Sequence, residues 1–283
     1  MRPAGRLRSL LFAPAVRPDF VAKLPSRGAD AVVIDCEDAT PANAKSDGRV
    51  NAREAAPGLT AAGCQVYVRV NAVPTEWFID DIRGALTPDL AGVIVPKVET
   101  IDGLDTVAAA LDAAGFGELG VLAGLETARG VADARPLLAH RRVIAGYFGA
   151  EDFIADMGGV RTDTNDEVAF ARSAVALAAR LAGVTVLDQV VADFRNDDRF
   201  RREAAEARAM GYGGKLCIHP GQVALANEAF VPSADDVDRA RRLLAAYESA
   251  SADGVAAIDF EGQMVDEPLA AQARRVVQLS SMA

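Results

Sequence analysis

Eight short apolar runs recur along this chain of 283 residues, and amphipathic segments separate them. Runs that are nearly continuous in Val, Ile and Leu are typical of parallel strands covered on both faces. The runs are Ser9–Pro14, Ala31–Asp35, Val66–Val70, Gly92–Pro96, Val121–Leu125, Val143–Phe148, Val184–Leu187 and Lys215–His219. Eight β/α repeats within roughly 230 residues predict an α/β protein with a closed (β/α)8 TIM barrel, and an open doubly wound sheet is the alternative.

A different pattern follows the eighth repeat. Asp235–Ala250 has helical periodicity, Gly254–Asp266 is typical of a short strand–turn stretch, and a further helix is expected from Glu267. No Pro- or Ser-rich linker precedes this part of the chain. We therefore expect a catalytic barrel domain over residues 1–232 and a C-terminal appendage over residues 233–283.

Charge and cysteine usage exclude several classes of partner. The net charge of −10 argues against a nucleic-acid or anionic-membrane surface, although a local cation can still attract an anionic substrate. The longest apolar runs are too short to span a membrane, and the basic start lacks a signal-peptide core. The three cysteines have no metal-like spacing, which favours reduced thiols in a cytoplasmic protein.

Two of the apolar runs lead into carboxylates. Val121–Thr127 contains Glu126, and Val143–Phe153 contains Asp152. Because functional residues of a barrel gather where its strands end, we expect these acids from consecutive strands to be neighbours that could hold a divalent cation. Charges at helix N-termini are the alternative interpretation. The small-residue turn at 149–152 could add backbone N–H groups for a substrate carboxylate.

A charged residue also lies within the third run. Alternation places Tyr67, Arg69 and Asn71 on one face of this strand. A guanidinium on an inward face needs a partner, which a substrate carboxylate or an enolate oxygen could supply. An internal ion pair with the acids after the second run is the alternative. Those acids, expected to orient the arginine or metal-bound water, are Asp35, Glu37 and Asp38.

Taken together, these segments resemble the citrate lyase β-subunit family, the CitE-like branch of the HpcH/HpaI aldolase superfamily. The matching segments are Arg8–Pro14 with Arg17 and Lys23, Val32–Asp38, Val68–Asn71, Val95–Lys97, Leu125–Gly130, Gly149–Phe153, Lys215–Pro220 and Phe260–Pro268. The resemblance covers nearly the whole chain. It implies a (β/α)8 barrel that is usually trimeric or hexameric, with the C-terminal segment over a neighbour's active site.

The resemblance also implies roles for the acids and the arginine. Glu126 and Asp152 match Mg²⁺ ligands, and Arg69 matches an arginine near the thioester carbonyl and the keto acid. Ala150 and Glu151 match positions whose backbone N–H groups hold the keto acid's carboxylate. These implied roles agree with what the residues themselves suggest.

Further positions are implied for coenzyme A and for proton transfer. The coenzyme A positions are Phe12, Arg17, Lys23, Ile218 and Pro220. Asp266 matches the acid/base of malyl-CoA and citramalyl-CoA lyases, delivered from the adjacent subunit. From the sequence alone, Asp266 is expected to be a helix N-cap, with Pro268 just inside the helix.

The resemblance thus implies a Mg²⁺-dependent carbon–carbon lyase that cleaves citryl-CoA, or another citryl thioester, to oxaloacetate and acetyl-CoA. A malyl-CoA or citramalyl-CoA lyase with malate synthase activity is the alternative, and a non-catalytic metabolite-binding subunit is a second. Acyl-carrier and transferase subunits are potential partners. The stretch Asp38 to Lys45 lacks the His of free-pyruvate aldolases, which favours CoA-thioester chemistry.

Overall fold

Eight parallel strands close into a barrel in the computed structural model, which describes residues 4–281. Each strand pairs with the next in sequence, and β1 pairs with β8 to close the ring. The strands are β1 (Ser9–Pro14), β2 (Ala31–Asp35), β3 (Gln65–Arg69), β4 (Gly92–Val95), β5 (Gly120–Leu125), β6 (Val143–Phe148), β7 (Thr185–Asp188) and β8 (Gly214–Cys217). The predicted (β/α)8 barrel is confirmed, and the open sheet is wrong.

Helices follow the strands along the chain. They are α1 (Pro18–Val21), α2 (Lys45–Ala61), α3 (Phe78–Gly84), α4 (Ile101–Ala113), α5 (Ala128–Ala132), α6 (Ala134–Leu138), α7 (Ala150–Met157), α8 (Ala169–Ala182), α9 (Asp197–Met210) and α10 (Gly221–Ala229). Short 3-10 turns lie at Leu24–Arg27, Ala42–Ala44 and Asp166–Val168. Thr127 caps α5 by accepting a hydrogen bond from the Gly130 N–H, so the chain turns into a helix immediately after Glu126.

The barrel interior is filled by one inward-facing set of apolar side chains. They include Leu10, Val33, Tyr67, Ile94, Leu122, Ala145, Leu187 and Leu216, all buried. Alternation along each strand sends these residues inward and their neighbours toward the surrounding helices. The packed interior makes the barrel a rigid support for groups at its rim.

Contacts divide the chain into two compact units, one ending at Asn227 and one beginning at Glu228. The second unit contains α11 (Ala234–Ala252), the antiparallel pair β9 (Ile258–Phe260) and β10 (Gln263–Val265), and α12 (Glu267–Ser281). Ser233 and Asp236 form a capping box at the start of α11. Leu243, Tyr247 and Val265 are buried in the core of this unit. Along residues 4–281, no helix combines the length and apolar character needed to cross a bilayer.

Candidate active site

A cavity of about 400 Å³ opens at the carboxyl ends of the barrel strands. Its lining contains both apolar and charged side chains. The lining residues are Phe12, Pro14, Asp35, Asp38, Ala39, Arg69, Glu126, Tyr147, Gly149, Ala150, Glu151, Asp152, Val190, Leu216 and Ile218. Polar groups that converge in a concave site on a rigid barrel mark this as the candidate active site.

Arg69 and Asp35 form the innermost ion pair of the cavity. They are the last residues of neighbouring strands β3 and β2, where they lie in register. Arg69 Nε donates to Asp35 Oδ1 at 2.7 Å and Nη2 to Oδ2 at 2.6 Å. Burial opposes the charged guanidinium, but Asp35 holds the pKa of Arg69 well above its ordinary value. The internal ion pair with the strand-2 acids, left as an alternative by the sequence, is therefore present.

Glu37 joins this pair to a lysine on the next loop. Its Oε2 lies 3.0 Å from Arg69 Nη1, and its Oε1 accepts a hydrogen bond from Lys97 Nζ at 2.7 Å. Burial raises the pKa of Glu37, while the charges of Arg69 and Lys97 counteract that rise. Asp38 is more exposed and lies 3.9 Å from the same ammonium. Asp35 and Glu37 thus fix the arginine, whereas Asp38 lines the cavity and lies near the lysine.

Glu126 is buried directly after β5, where Lys97 N–H and Tyr147 Oη donate to its Oε1 at 2.8 and 3.1 Å. Burial raises the pKa of Glu126 to about 7, and the nearby charge of Glu37 adds to the rise while that of Arg69 reduces it. A Cβ on Gly149 would lie 2.7 Å from the Cβ of Glu126. Only glycine at this position leaves room for the glutamate.

Asp152 lies in the first turn of α7, not at the end of β6 itself. It is partly exposed, and its Oδ1 lies 3.3 Å from Lys97 Nζ. The N–H groups of a helix's first turn have no partner within the helix, so those of Ala150 and Glu151 remain available beside the cavity. The Glu151 carboxylate instead pairs with Arg161 at 3.1 Å. Asp152 is therefore both a cavity carboxylate and a helix N-terminal charge, the two alternatives that the sequence left open.

The donor set suits a hard divalent cation that keeps part of its hydration. Over the described residues, no group of three or more His, Cys, Asp and Glu side chains is placed to hold a metal ion. Mg²⁺ is commonly bound by one or two carboxylates, and water or substrate oxygens supply its remaining ligands. Glu126 and Asp152 are a pair of this kind, and a cationic group, the Lys97 ammonium, already lies at Asp152.

The residues implied for coenzyme A divide into two groups. Phe12 and Ile218 line the cavity, and the Phe12 ring lies 5.1 Å from the Arg69 guanidinium carbon. Arg17, Lys23 and Pro220 lie outside that lining. Arg17 pairs with Asp19 at 2.8 Å and covers the Phe20 ring, from which the Lys23 ammonium lies 6.0 Å away.

Asp266 lies in the second unit, immediately before α12. Its backbone carbonyl accepts the first helical hydrogen bond, from the Ala270 N–H at 3.0 Å, which places it at the N-cap position. Nevertheless, its side-chain Oδ1 is buried and accepts no hydrogen bond from any described residue. An unpartnered carboxylate oxygen distinguishes Asp266 from a simple capping residue.

Two further residues contribute to the site, and the sequence alone assigned neither of them a role. Tyr147 donates to Glu126, and the absence of a side chain at Gly124 leaves room for its ring. Lys97 contacts both candidate metal ligands from a backbone with φ of 51°. The alternation of β6 predicts that Tyr147 faces inward, but the conformation of Lys97 depends on contacts distant in sequence.

The fold and the charged cavity together define a (β/α)8-barrel enzyme. The chain belongs to the HpcH/HpaI aldolase/citrate lyase family, which matches residues 8–220. It is 50% identical to a citrate lyase subunit beta-like protein of Deinococcus radiodurans, over 97% of this chain and 98% of that protein. It is 31% identical to the L-malyl-CoA/beta-methylmalyl-CoA lyase of Rhodobacter capsulatus, over 99% of this chain and 96% of that enzyme.

A solved structure extends the similarity to the backbone. It is that of the protein CitE from Mycobacterium tuberculosis in complex with magnesium, acetoacetate and coenzyme A, with a TM-score of 0.80. The two chains are 32% identical, and the match covers 97% of this chain and all of the other. The predicted family is confirmed, and the chain is a carbon–carbon lyase.

Proposed function

We propose that this enzyme cleaves citryl-CoA, or a citryl thioester of a carrier, to oxaloacetate and acetyl-CoA with the help of Mg²⁺. The observation that carries the proposal is the convergence of Glu126, Asp152 and Arg69 on one cavity at the barrel rim. The similarity to a citrate lyase subunit beta-like protein and to a structure holding magnesium and coenzyme A supports it.

The carboxylates of Glu126 and Asp152 would hold the metal. When bound, Mg²⁺ supplies a Lewis acid that polarises the substrate's oxygen atoms. Tyr147 and the Lys97 N–H keep Glu126 oriented through hydrogen bonds to Oε1, which leaves Oε2 for the cation. A ligand fixed in this way needs little reorganisation when the ion binds.

Arg69 acts on the thioester end of the substrate. The substrate hydroxyl loses its proton to water and becomes the carbonyl of the oxo acid. The carbon–carbon bond breaks, and its electron pair stays on acetyl-CoA as an enolate, whose charge spreads to the thioester oxygen. Asp35 and Glu37 fix the guanidinium from the barrel side, and the remaining N–H donors can stabilise that developing charge. The same pairing keeps Arg69 in place before substrate binds.

The start of α7 holds the oxo-acid product. The N–H groups of Ala150 and Glu151 bind its carboxylate, aided by the positive end of the helix dipole. Phe12 and Ile218 form the apolar wall beside the acyl group, while Arg17, Lys23 and Pro220 contact the coenzyme A moiety farther out. The negative charges of the substrate are thus bound by the start of α7 at one end and by Arg17 and Lys23 at the other.

Asp266 of a neighbouring subunit protonates the enolate carbon, or removes a proton from acetyl-CoA in the reverse direction. This arrangement requires an oligomer, and a homotrimer or hexamer is proposed. Asp266 is partly exposed, and its Oδ1 accepts no hydrogen bond from the described residues, which supports this role.

Replacement of Asp266 by Ala is expected to lower turnover about 100- to 10,000-fold, because the proton donor is lost. The thermal unfolding midpoint should change little, since Oδ1 accepts no hydrogen bond from the described part of the chain. Steady-state kinetics and thermal unfolding measure the two effects. Ser233→Ala is the matched control, since it removes a true cap and should lower stability by about 0.5–2 kcal/mol without affecting turnover. Normal turnover with reduced stability in Asp266→Ala would identify a helix cap.

A malyl-CoA or citramalyl-CoA lyase is the second candidate, supported by the malyl-CoA lyase similarity. The test is release of acetyl-CoA from citryl-CoA, (S)-citramalyl-CoA and malyl-CoA, each with Mg²⁺ and with EDTA. Preference for citryl-CoA supports the main proposal, and preference for another thioester selects the second candidate. If none of the three thioesters is cleaved with or without carrier and transferase subunits, both candidate substrates are refuted.

A further inference from the structure

Lys97 is held in an unusual backbone conformation beside the candidate metal site. Its φ of 51° lies in the left-handed region, which lysine rarely adopts. Such conformations persist where surrounding contacts enforce them, and they cluster at functional sites. In this conformation the Lys97 N–H donates a hydrogen bond to Glu126 Oε1 at 2.8 Å.

The Lys97 side chain returns to the same site. Its ammonium lies 2.7 Å from Glu37 Oε1, 3.3 Å from Asp152 Oδ1 and 3.9 Å from Asp38 Oδ2. One residue therefore contacts both candidate metal ligands, Glu126 through its backbone and Asp152 through its charge. The ammonium occupies the position of a counter-ion to the acidic rim.

We infer that the Lys97 ammonium is an internal counter-ion of the metal-free site, which the divalent cation displaces from Asp152 on binding. This inference rests on the proposed assignment of Glu126 and Asp152 as metal ligands. Two cations beside one carboxylate repel each other, so a metal bound to Asp152 weakens the Lys97–Asp152 contact. Glu37 retains the ammonium, and Asp38 is the alternative partner toward which it can turn.

Displacement of an ion pair lowers metal affinity, because part of the binding free energy is used to break the pair. Lys97 thereby tunes the affinity of the site. A lysine that merely supported the fold would have the opposite effect when removed, since disordered ligands bind metal less tightly. The direction of the affinity change separates the two roles.

The test is isothermal titration of MgCl₂ into EDTA-treated, desalted protein without substrate. We expect Lys97→Met to bind Mg²⁺ about 10- to 100-fold more tightly than the wild type. Lys97→Arg, which keeps the charge, should stay within about 3-fold of the wild type. Arg180→Met is the matched control, because it removes one positive charge from an exposed position of α8 and should leave the affinity unchanged.

Lys97→Asn is a second neutral variant, because asparagine tolerates a positive φ and keeps the backbone N–H that orients Glu126. Unchanged or weaker Mg²⁺ binding by folded Lys97→Met and Lys97→Asn would overturn the inference while leaving the proposed lyase function intact. A wild-type protein that binds no divalent cation would overturn both. Tighter binding by the variants supports the inference even if none of the thioesters is cleaved.

Discussion

Conversion of Glu126 to Gln, or of Asp152 to Asn, is expected to lower Mg²⁺-dependent turnover by at least about 1,000-fold. Each change removes one of the two anionic ligands but preserves the shape of the side chain. Glutamine can still accept the hydrogen bonds that Lys97 N–H and Tyr147 Oη give to Glu126 Oε1. Because the fold should be preserved, the loss of turnover can be attributed to the missing carboxylate charge.

Acetyl-CoA release measured across a series of Mg²⁺ concentrations tests this expectation. Asp156→Asn is a matched control: Asp156 lies one helical turn beyond Asp152 on α7, and its carboxylate accepts the Ala128 N–H at 2.7 Å. This variant loses the same charge from the same helix and should keep wild-type turnover. Full activity in either Glu126→Gln or Asp152→Asn would refute the metal assignment.

Replacement of Arg69 by Met is expected to impair both the fold and the reaction. It leaves Asp35 buried without its bidentate partner, which typically costs about 3–5 kcal/mol of unfolding free energy. It also removes the proposed donor to the thioester oxygen, which lowers turnover about 100- to 1,000-fold. Urea denaturation and steady-state kinetics measure the two losses.

The double variant Arg69→Met with Asp35→Asn separates the two roles. Removing the orphaned charge is expected to recover much of the stability, because a neutral amide is easier to bury. Turnover should stay low, since the cationic donor is still missing. Wild-type turnover in the double variant would mean that Arg69 serves only to neutralise Asp35.

The barrel could be predicted from the sequence because its strands are short, apolar and separated by amphipathic segments. The neighbouring positions of Glu126 and Asp152 followed from strand order, although Asp152 lies within α7 and not at a strand end. The strand alternation predicted that Asn71 lies on the same face as Arg69, but β3 already ends at Arg69. The Asn71 amide instead donates hydrogen bonds to the Asp81 carboxylate and the Cys36 carbonyl. Where a strand ends depends on its neighbours, which the local pattern does not encode.

The conformation of Lys97 could not be predicted for a related reason. The strand order predicts that Lys97 lies at the carboxyl end of the barrel, but its left-handed φ accompanies a hydrogen bond to Glu126, which lies 29 residues farther along the chain. Arg69 shows the opposite case, because a charged residue within an apolar strand already required a buried partner. The need of Arg69 for a buried partner could be predicted, because a charge within an apolar strand breaks the local pattern. The backbone conformation of Lys97 could not, because it depends on contacts distant in sequence.

The network of ion pairs at the rim has a consequence for ion selectivity. Two cationic side chains, Arg69 and Lys97, lie among five carboxylates, those of Asp35, Glu37, Asp38, Glu126 and Asp152. The cluster with all five acids ionised is thus three positive charges short of neutrality, and one divalent cation supplies two of them. Na⁺ or K⁺ would supply only one, so valence alone favours Mg²⁺ over the more abundant monovalent ions.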